Sequence, residues 1–261
     1  RGRHRADGRE VGATIGLLRS LIALLGKDDV THMACAFDHV AESFRNELYD
    51  GYKTGEGINP DLLAQFSLAE EAVKALGLVV WPMVEFEADD AIGSAAVRFA
   101  SEPAVEQIVI CSPDKDLAQL VAADTIICWD RRRDIVYDEA AVIKKFGVAP
   151  VSIPDWLALV GDSADGIPGI PAWGAKSAAA VLEQFRHIED IPEDTASWNM
   201  TAGRARRLAE NLFSQMDDAL LYRRLTTLRR DVPIVENVDD LRWQGPAAGF
   251  DEFCVELGVA N

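Results

Sequence analysis

At 261 residues the chain is long enough for one large domain or two small ones, and its 49% hydrophobic content provides for a sizeable core and argues against a disordered chain. Lys and Arg number 26 against 43 Asp and Glu, a net charge of −17 that suits no partner requiring a uniformly basic surface. No stretch is apolar for long enough to span a membrane, no secretory signal is visible, and Cys35, Cys111, Cys128 and Cys254 form no C-x-x-C pair, which argues against zinc and for a reducing, cytoplasmic setting.

After a polar, basic start, residues 11–25 have helix-like apolar spacing with Gly26 as a stop. His32 to Phe37 reads as a short buried strand ending at Asp38. Residues 39–60, punctuated by Gly51, Gly55, Gly57 and Pro60, form a loop or arch, and 61–76 an amphipathic helix closed by Gly77. Leu78 to Trp81 is the next strand, Glu87 leads a helix through Ala100, and Gln107 to Cys111 is a strand. Asp114 opens another helix, and Thr125 to Trp129 is a strand followed by a hairpin through Tyr137. The alternation predicts a parallel, doubly wound sheet. From Asp138 the pattern changes to short helices joined by Gly- and Pro-rich turns, clearest at 166–174, with a helix over 175–185; the remainder is helical with a strand-like piece at 232–235.

Acidic clusters mark the ends of these elements: Asp38; Glu87, Asp89 and Asp90; Asp114 and Asp116; Asp162 and Asp165. Any one cluster has an ordinary explanation, because Asp and Glu cap helices and shape turns. Taken together they fall on the side of the sheet where ligands bind, beyond the carboxyl ends of the strands, which predicts a shared acidic pocket. Carboxylate oxygens suit the hard cations Mg²⁺ and Mn²⁺, and two such ions can activate water and stabilise the leaving oxygen of a phosphodiester.

The Gly-rich turn at 166–174 offers backbone N–H groups to a phosphate backbone, with Lys176 on the opening turn of the following helix, where the dipole favours phosphate; an ordinary helical hairpin is the competing reading. Arginine runs at 131–133, 204–207, 223–224 and 229–230 serve equally as solvated faces. Tyr49 and Tyr52 are candidates for stacking on an unpaired base or for packing within the arch, and Trp173 reads mainly as core. His4, His32, His39 and His187 show no metal spacing.

The strings FDHVAESFRNELYDGYK, EFEADDAIGSAA, CSPDKDLAQLV and LALVGDSADGIPGIPAWGAKSAAAVL, in that order over roughly residues 10–190, resemble the 5′ nuclease family, which includes the 5′-to-3′ exonuclease domain of bacterial DNA polymerase I and the flap endonucleases. The resemblance implies an α/β, PIN-like parallel-sheet nuclease core with a helical arch over residues 1–137 (arch about 39–60), a helix–three-turn–helix DNA-binding region over 138–190, and a mainly helical segment over 191–261. It implies cutting of DNA bearing a 5′ flap, nick or free 5′ end, by a monomer with two divalent ions. Asp38, Glu87, Asp89 and Asp90 would serve the first ion; Asp114, Asp116, Asp162 and Asp165 the second. Lys53 matches the arch lysine that would neutralise the scissile phosphate, and Arg45 an arch arginine. Gly166, Gly169, Gly174, Lys176 and Ser177 would meet the DNA backbone, with a monovalent cation such as K⁺ at the 166–174 hairpin.

Two departures stand out. The family pattern opens with an apolar strand ending in Asp before the first helix, and the chain, which starts at Arg1, lacks it; an upstream segment is expected. Where bacterial members carry an arginine shortly after the arch lysine, this chain has Glu56, which predicts a weaker hold on phosphate. The competing functions are a non-catalytic binder of branched DNA and a metal-dependent phosphatase of small molecules, the latter having no use for the 166–174 hairpin.

Overall fold

The computed structural model describes residues 8–259; the basic start, His4 included, lies outside them. In chain order the elements are α1 (Gly12–Leu25), β1 (Ala34–Asp38), α2 (Phe44–Leu48), α3 (Pro60–Leu63), α4 (Phe66–Ala75), β2 (Val79–Met83), α5 (Ala88–Phe99), β3 (Ile108–Ile110), β4 (Ile126–Asp130), β5 (Ile135–Tyr137), α6 (Glu139–Phe146), α7 (Ile153–Val160), α8 (Ala175–Phe185), α9 (Ala202–Ser214), α10 (Met216–Thr226) and α11 (Phe250–Glu256). They form two compact units, each assembled from separated stretches: residues up to 44, 54–91 and from 232 onward make the first, and 45–53 and 92–231 the second.

In the first unit β1 and β2 pair in parallel, Ala34 opposite Val79 through Asp38 opposite Met83. The apolar spacing of α1 places Ile15, Leu18 and Leu21 on one buried face, where they join Ala72, Val73 and Leu76 in one core cluster. The helix predicted over 61–76 is broken at Ala64 and Gln65. The break puts the Gln65 side chain at the start of α1, where its Oε1 accepts from the N–H groups of Ala13 at 3.1 Å and Thr14 at 3.2 Å, two donors that α1 itself leaves unsatisfied. β1 is half-buried along Ala34–Phe37 rather than fully buried.

In the second unit β3 and β4 are parallel, and β4 turns back antiparallel into β5 through the arginine run, as the hairpin signal predicts. Asp130 Oδ1 shapes that turn by accepting from the N–H groups of Arg132 and Arg133, both at 3.1 Å. The core is built around α7, whose Ile153, Leu157, Ala158 and Leu159 are fully buried and pack with Leu182, Leu208 and Leu225. Asp138 caps α6 through Ala141 N at 2.8 Å, and Gly147, at φ +76°, ends it in the left-handed conformation that glycine adopts without strain.

The α/β class with parallel strand pairs is as expected; among the described residues those strands lie in a two-stranded and a three-stranded sheet. Other expectations are corrected. The helix expected from Asp114 is a 3₁₀ turn over Asp116–Leu120, ended where Val121 becomes extended (ψ 129°) and Ala122 bridges to Ile126. The piece at 232–235 is not a strand. Among the cysteines, Cys128 and Cys254 are buried and Cys111 is exposed.

Candidate metal centre

In the first unit four acidic residues gather around the start of α5. Asp38 ends β1, and its Oδ1 accepts from Ala88 N, the first residue of α5, at 2.7 Å. Asp90 reaches back one turn to accept from Glu87 N at 3.0 Å, the return half of a capping box. Glu87 Oε1 accepts from Ser43 Oγ at 2.8 Å. Asp90 and Glu87 are buried, Asp89 is half-buried and Asp38 is exposed. Asp38 and Asp90 thus cap the helix and also stand near its positive end, where carboxylates are stabilised. His39 turns to Glu70, its Nδ1 2.8 Å from Oε1.

In the second unit the carboxylates come from the loop after β3 and from the turn after α7. The Ser112 hydroxyl accepts from Asp114 N at 3.1 Å, and Asp114 Oδ1 accepts from Asp116 N at 2.9 Å, a pair of local turns that carries the chain into the 3₁₀ segment. Past α7, Asp162 and Ile167 exchange both backbone hydrogen bonds at 2.8 Å, closing a tight turn that presents Asp162 and Asp165. Oxygens of Asp116, Asp162 and Asp165 lie within 4.8 Å of one another. Asp114 is exposed and contributes through its bond to Asp116 N, outside that trio.

Two lysines face this trio. Lys53 donates from Nζ to Asp165 Oδ1 at 3.0 Å. Lys115 Nζ bonds Asp162 Oδ2 and stands 3.6 Å from Asp116 Oδ1. Asp116 is 6% exposed, and its carboxyl is pushed up to about 7, first by burial and then by the charge of Asp114, with Asp165 and Asp162 adding to the rise and Lys115 opposing it. Burial disfavours the charged form of Lys115, yet its bond to Asp162 and the charges of Asp116, Asp162 and Asp114 raise it overall. The ammonium therefore serves Asp162 directly and Asp116 only at a distance. The buried Asp116 Oδ1 has no hydrogen-bond partner among the described residues. Three convergent hard oxygens, one of them orphaned, fit a hard divalent cation.

The structure also places the remaining predicted residues. Gly166, at φ +77°, packs so closely on the arch segment that a Cβ there would lie 2.0 Å from Gly51 O. Gly169, at φ +73°, meets the backbone of Val160 and Gly161, with a Cβ position 2.6 Å from Gly161 N. Gly174 faces open space, and Lys176 is exposed on the first turn of α8. Ser177 is 2% exposed and caps α8: its Oγ accepts from Gly174 N at 3.0 Å. A shallow depression of about 400 Å³ runs along the hairpin, lined by Val160, Gly161, Ser163, Gly166, Ile167 and Pro168.

Arg45 is not displayed as an arch arginine. It is 1% exposed, and its guanidinium donates to Leu225 O at 2.7 Å and Thr227 O at 3.3 Å, at the carboxyl end of α10. The aromatic candidates pack within the unit: Tyr52 is buried, Tyr49 meets Tyr222 edge-on with centroids 5.8 Å apart, and Trp173 donates to Leu208 O at 3.0 Å. Sequence reasoning passed over Lys115, although its place between Asp114 and Asp116 was the available signal, and Ser43, for which no sequence signal existed.

Comparison with known proteins bears on this geometry. A family model described as 5′-3′ exonuclease, N-terminal resolvase-like domain, matches residues 2–147, and one described as 5′-3′ exonuclease, C-terminal SAM fold, matches residues 148–249. DNA polymerase I of Bacillus caldotenax is 34% identical over 246 residues, covering 93% of this chain and 27% of that protein, so the chain spans about a quarter of the length of that relative. A 5′-3′ exonuclease of Aquifex aeolicus (strain VF5) is 33% identical over 242 residues, covering 92% of this chain and 80% of the relative. Among solved structures, the T5 5′-exonuclease with bound zinc superposes with a TM-score of 0.69 at 17% identity, over 94% of this chain and 89% of the other, a likeness of fold. With matching models running from residue 2 to residue 249, the chain belongs to the 5′-3′ exonuclease family.

Proposed function

We propose that the chain is a divalent-metal-dependent, structure-selective DNA 5′ nuclease, a 5′-flap endonuclease and 5′-3′ exonuclease of replication and repair. The observation that carries this reading is the convergence of Asp116, Asp162 and Asp165 within 4.8 Å in a chain of this family. A T5 flap endonuclease of similar fold has been seen with DNA and metal ions.

In this reading Asp38, Glu87, Asp89 and Asp90 hold one Mg²⁺ or Mn²⁺, and Asp116, Asp162 and Asp165 hold a second, with Asp114 acting through the turn it forms or through water. Bound metal supplies an activated water and charge to stabilise the leaving 3′ oxygen. Lys53, beside Asp165, supplies the ammonium that neutralises the scissile phosphate. Arg45 acts as a positioning residue, tying the chain just before Lys53 to the end of α10. Gly174, open at its Cβ position, allows close approach of a DNA backbone, while Gly166 and Gly169 let the hairpin close on the chain's own backbone; Lys176 meets the DNA phosphate, Ser177 orients the start of α8, and hairpin carbonyls over 166–174 take a K⁺ ion. Residues 1–137 serve as the nuclease core with its arch, 138–190 as the DNA-binding region, and 191–261 as supporting helices. The substrate is DNA with a 5′ flap, nick or free 5′ end, and the protein acts as a cytoplasmic monomer; no helix among the described residues is long and apolar enough to cross a membrane.

Incubation with a 5′-flap duplex and Mn²⁺ tests this. Chelator-sensitive cuts at the flap junction are expected, with Asp90→Asn abolishing cutting while sparing DNA binding. Binding without cutting would instead support a non-catalytic binder of branched DNA, and cutting by Asp90→Asn would remove the first metal assignment.

A further inference from the structure

We propose that Lys115 is the built-in counter-ion of the Asp116–Asp162–Asp165 trio, a positioning residue whose ammonium a divalent cation must displace in order to bind. The inference rests on the reading that this trio holds metal.

Four observations support it. Lys115 Nζ is bonded to Asp162 Oδ2 and stands 3.6 Å from Asp116 Oδ1, so one ammonium spans two of the three carboxylates. The backbone of the next residue is held at both of its polar groups: Asp116 N donates to Asp114 Oδ1 at 2.9 Å, and Asp116 O accepts from Gln119 Nε2 at 2.9 Å. The other oxygen of Asp162, Oδ1, accepts from Ala164 N at 3.1 Å, which leaves Oδ2 as the oxygen turned to the lysine. Finally, a solvent-open depression of about 460 Å³ lined by Ser112, Pro113, Asp114, Arg133 and Lys145 also takes in Lys115, so a displaced side chain has somewhere to go.

The physical consequence follows from charge. Three neighbouring carboxylates repel one another in a partly buried setting; Lys53 offsets the charge of Asp165, and the ammonium of Lys115 offsets part of the repulsion between Asp116 and Asp162. A divalent ion brings twice the charge and direct oxygen ligation, so it can replace the ammonium, but only by breaking the Lys115–Asp162 pair. Lys115 thereby holds the trio together and lowers metal affinity, setting the concentration of divalent ion at which the site fills. It also penalises weakly coordinating monovalent ions, which offer no more charge than the lysine they would displace.

Calorimetric titration of the full chain with Mn²⁺, without DNA, separates the outcomes, with thermal unfolding in chelator run in parallel. Wild type is expected to take up Mn²⁺. Lys115→Met is expected to melt lower in chelator, to bind Mn²⁺ about tenfold more tightly, and to gain more stability from Mn²⁺ than wild type. Lys115→Arg, which keeps the charge and can grip Asp162 through two N–H groups, is expected to bind Mn²⁺ no more tightly than wild type. Unchanged or weaker Mn²⁺ binding by Lys115→Met, or tighter binding by Lys115→Arg, overturns the counter-ion role while leaving the metal reading intact. A wild type that takes up no Mn²⁺ removes the metal reading and this inference with it.

Discussion

Lys53 grips Asp165 twice: its backbone N donates to Asp165 O at 3.0 Å, and its ammonium donates to Asp165 Oδ1 at 3.0 Å. The arch segment of the second unit is thus bound to the same turn that supplies two of the three clustered carboxylates. Because the backbone bond persists whatever side chain follows, Lys53→Ala should leave the segment in place while removing the ammonium. Single-turnover cleavage of a 5′-flap duplex is expected to slow by ~10²-fold or more, with Lys53→Arg recovering part of the rate. An alanine variant as fast as wild type would remove Lys53 from the chemistry.

The same contact makes Gly166 structurally demanding. Its φ of +77°, and the mere 2.0 Å that would separate an added methyl from Gly51 O, leave no room for a side chain. Gly166→Ala is expected to cost about 2–4 kcal/mol in chemical denaturation. Gly174, in extended backbone with nothing within 4 Å of its Cβ position, should accept alanine at ~0.5–1 kcal/mol. A loss of duplex affinity in Gly174→Ala at such a small stability cost would mark it as a point of DNA approach.

Arg45 distinguishes a positioning role from a direct one. Removing its guanidinium strips partners from Leu225 O and Thr227 O and leaves a cavity. Arg45→Ala should therefore lose roughly 2–4 kcal/mol of stability, and Arg45→Lys should recover little of it, since a lysine cannot reproduce the forked donation. Full stability together with lost cleavage would point instead to a residue acting on the substrate.

Asp116 carries a pH signature. Its folded-state pKa of about 7 lies above the ordinary 3.8, so the folded protein holds this proton more tightly than the unfolded chain. The associated stability is fully present below about pH 4 and is lost as pH rises toward 7, beyond which it changes no further. In chelator, Asp116→Asn should match wild type near pH 4 and exceed it by on the order of 2–4 kcal/mol at pH 7.5. A constant difference across that range would show that the carboxyl does not titrate in the window.

Much of this protein was legible in its sequence. Apolar spacing closed by glycine located α1, an acidic start located α5, short apolar runs located the strands, turn signals located the β4–β5 hairpin and the start of α8, and acidic residues at element ends named the candidate ligands, because those signals are carried by neighbours along the chain. Tertiary structure decided the rest. That Gln65 interrupts a helix to cap α1, that Arg45 is buried at the end of α10 rather than displayed, that Tyr49 packs against Tyr222, and that Lys115 faces Asp162 are all matters of partners between 47 and 180 positions away. Burial and the choice of hydrogen-bond partner depend on what the folded chain brings alongside a residue, and local pattern holds no record of that.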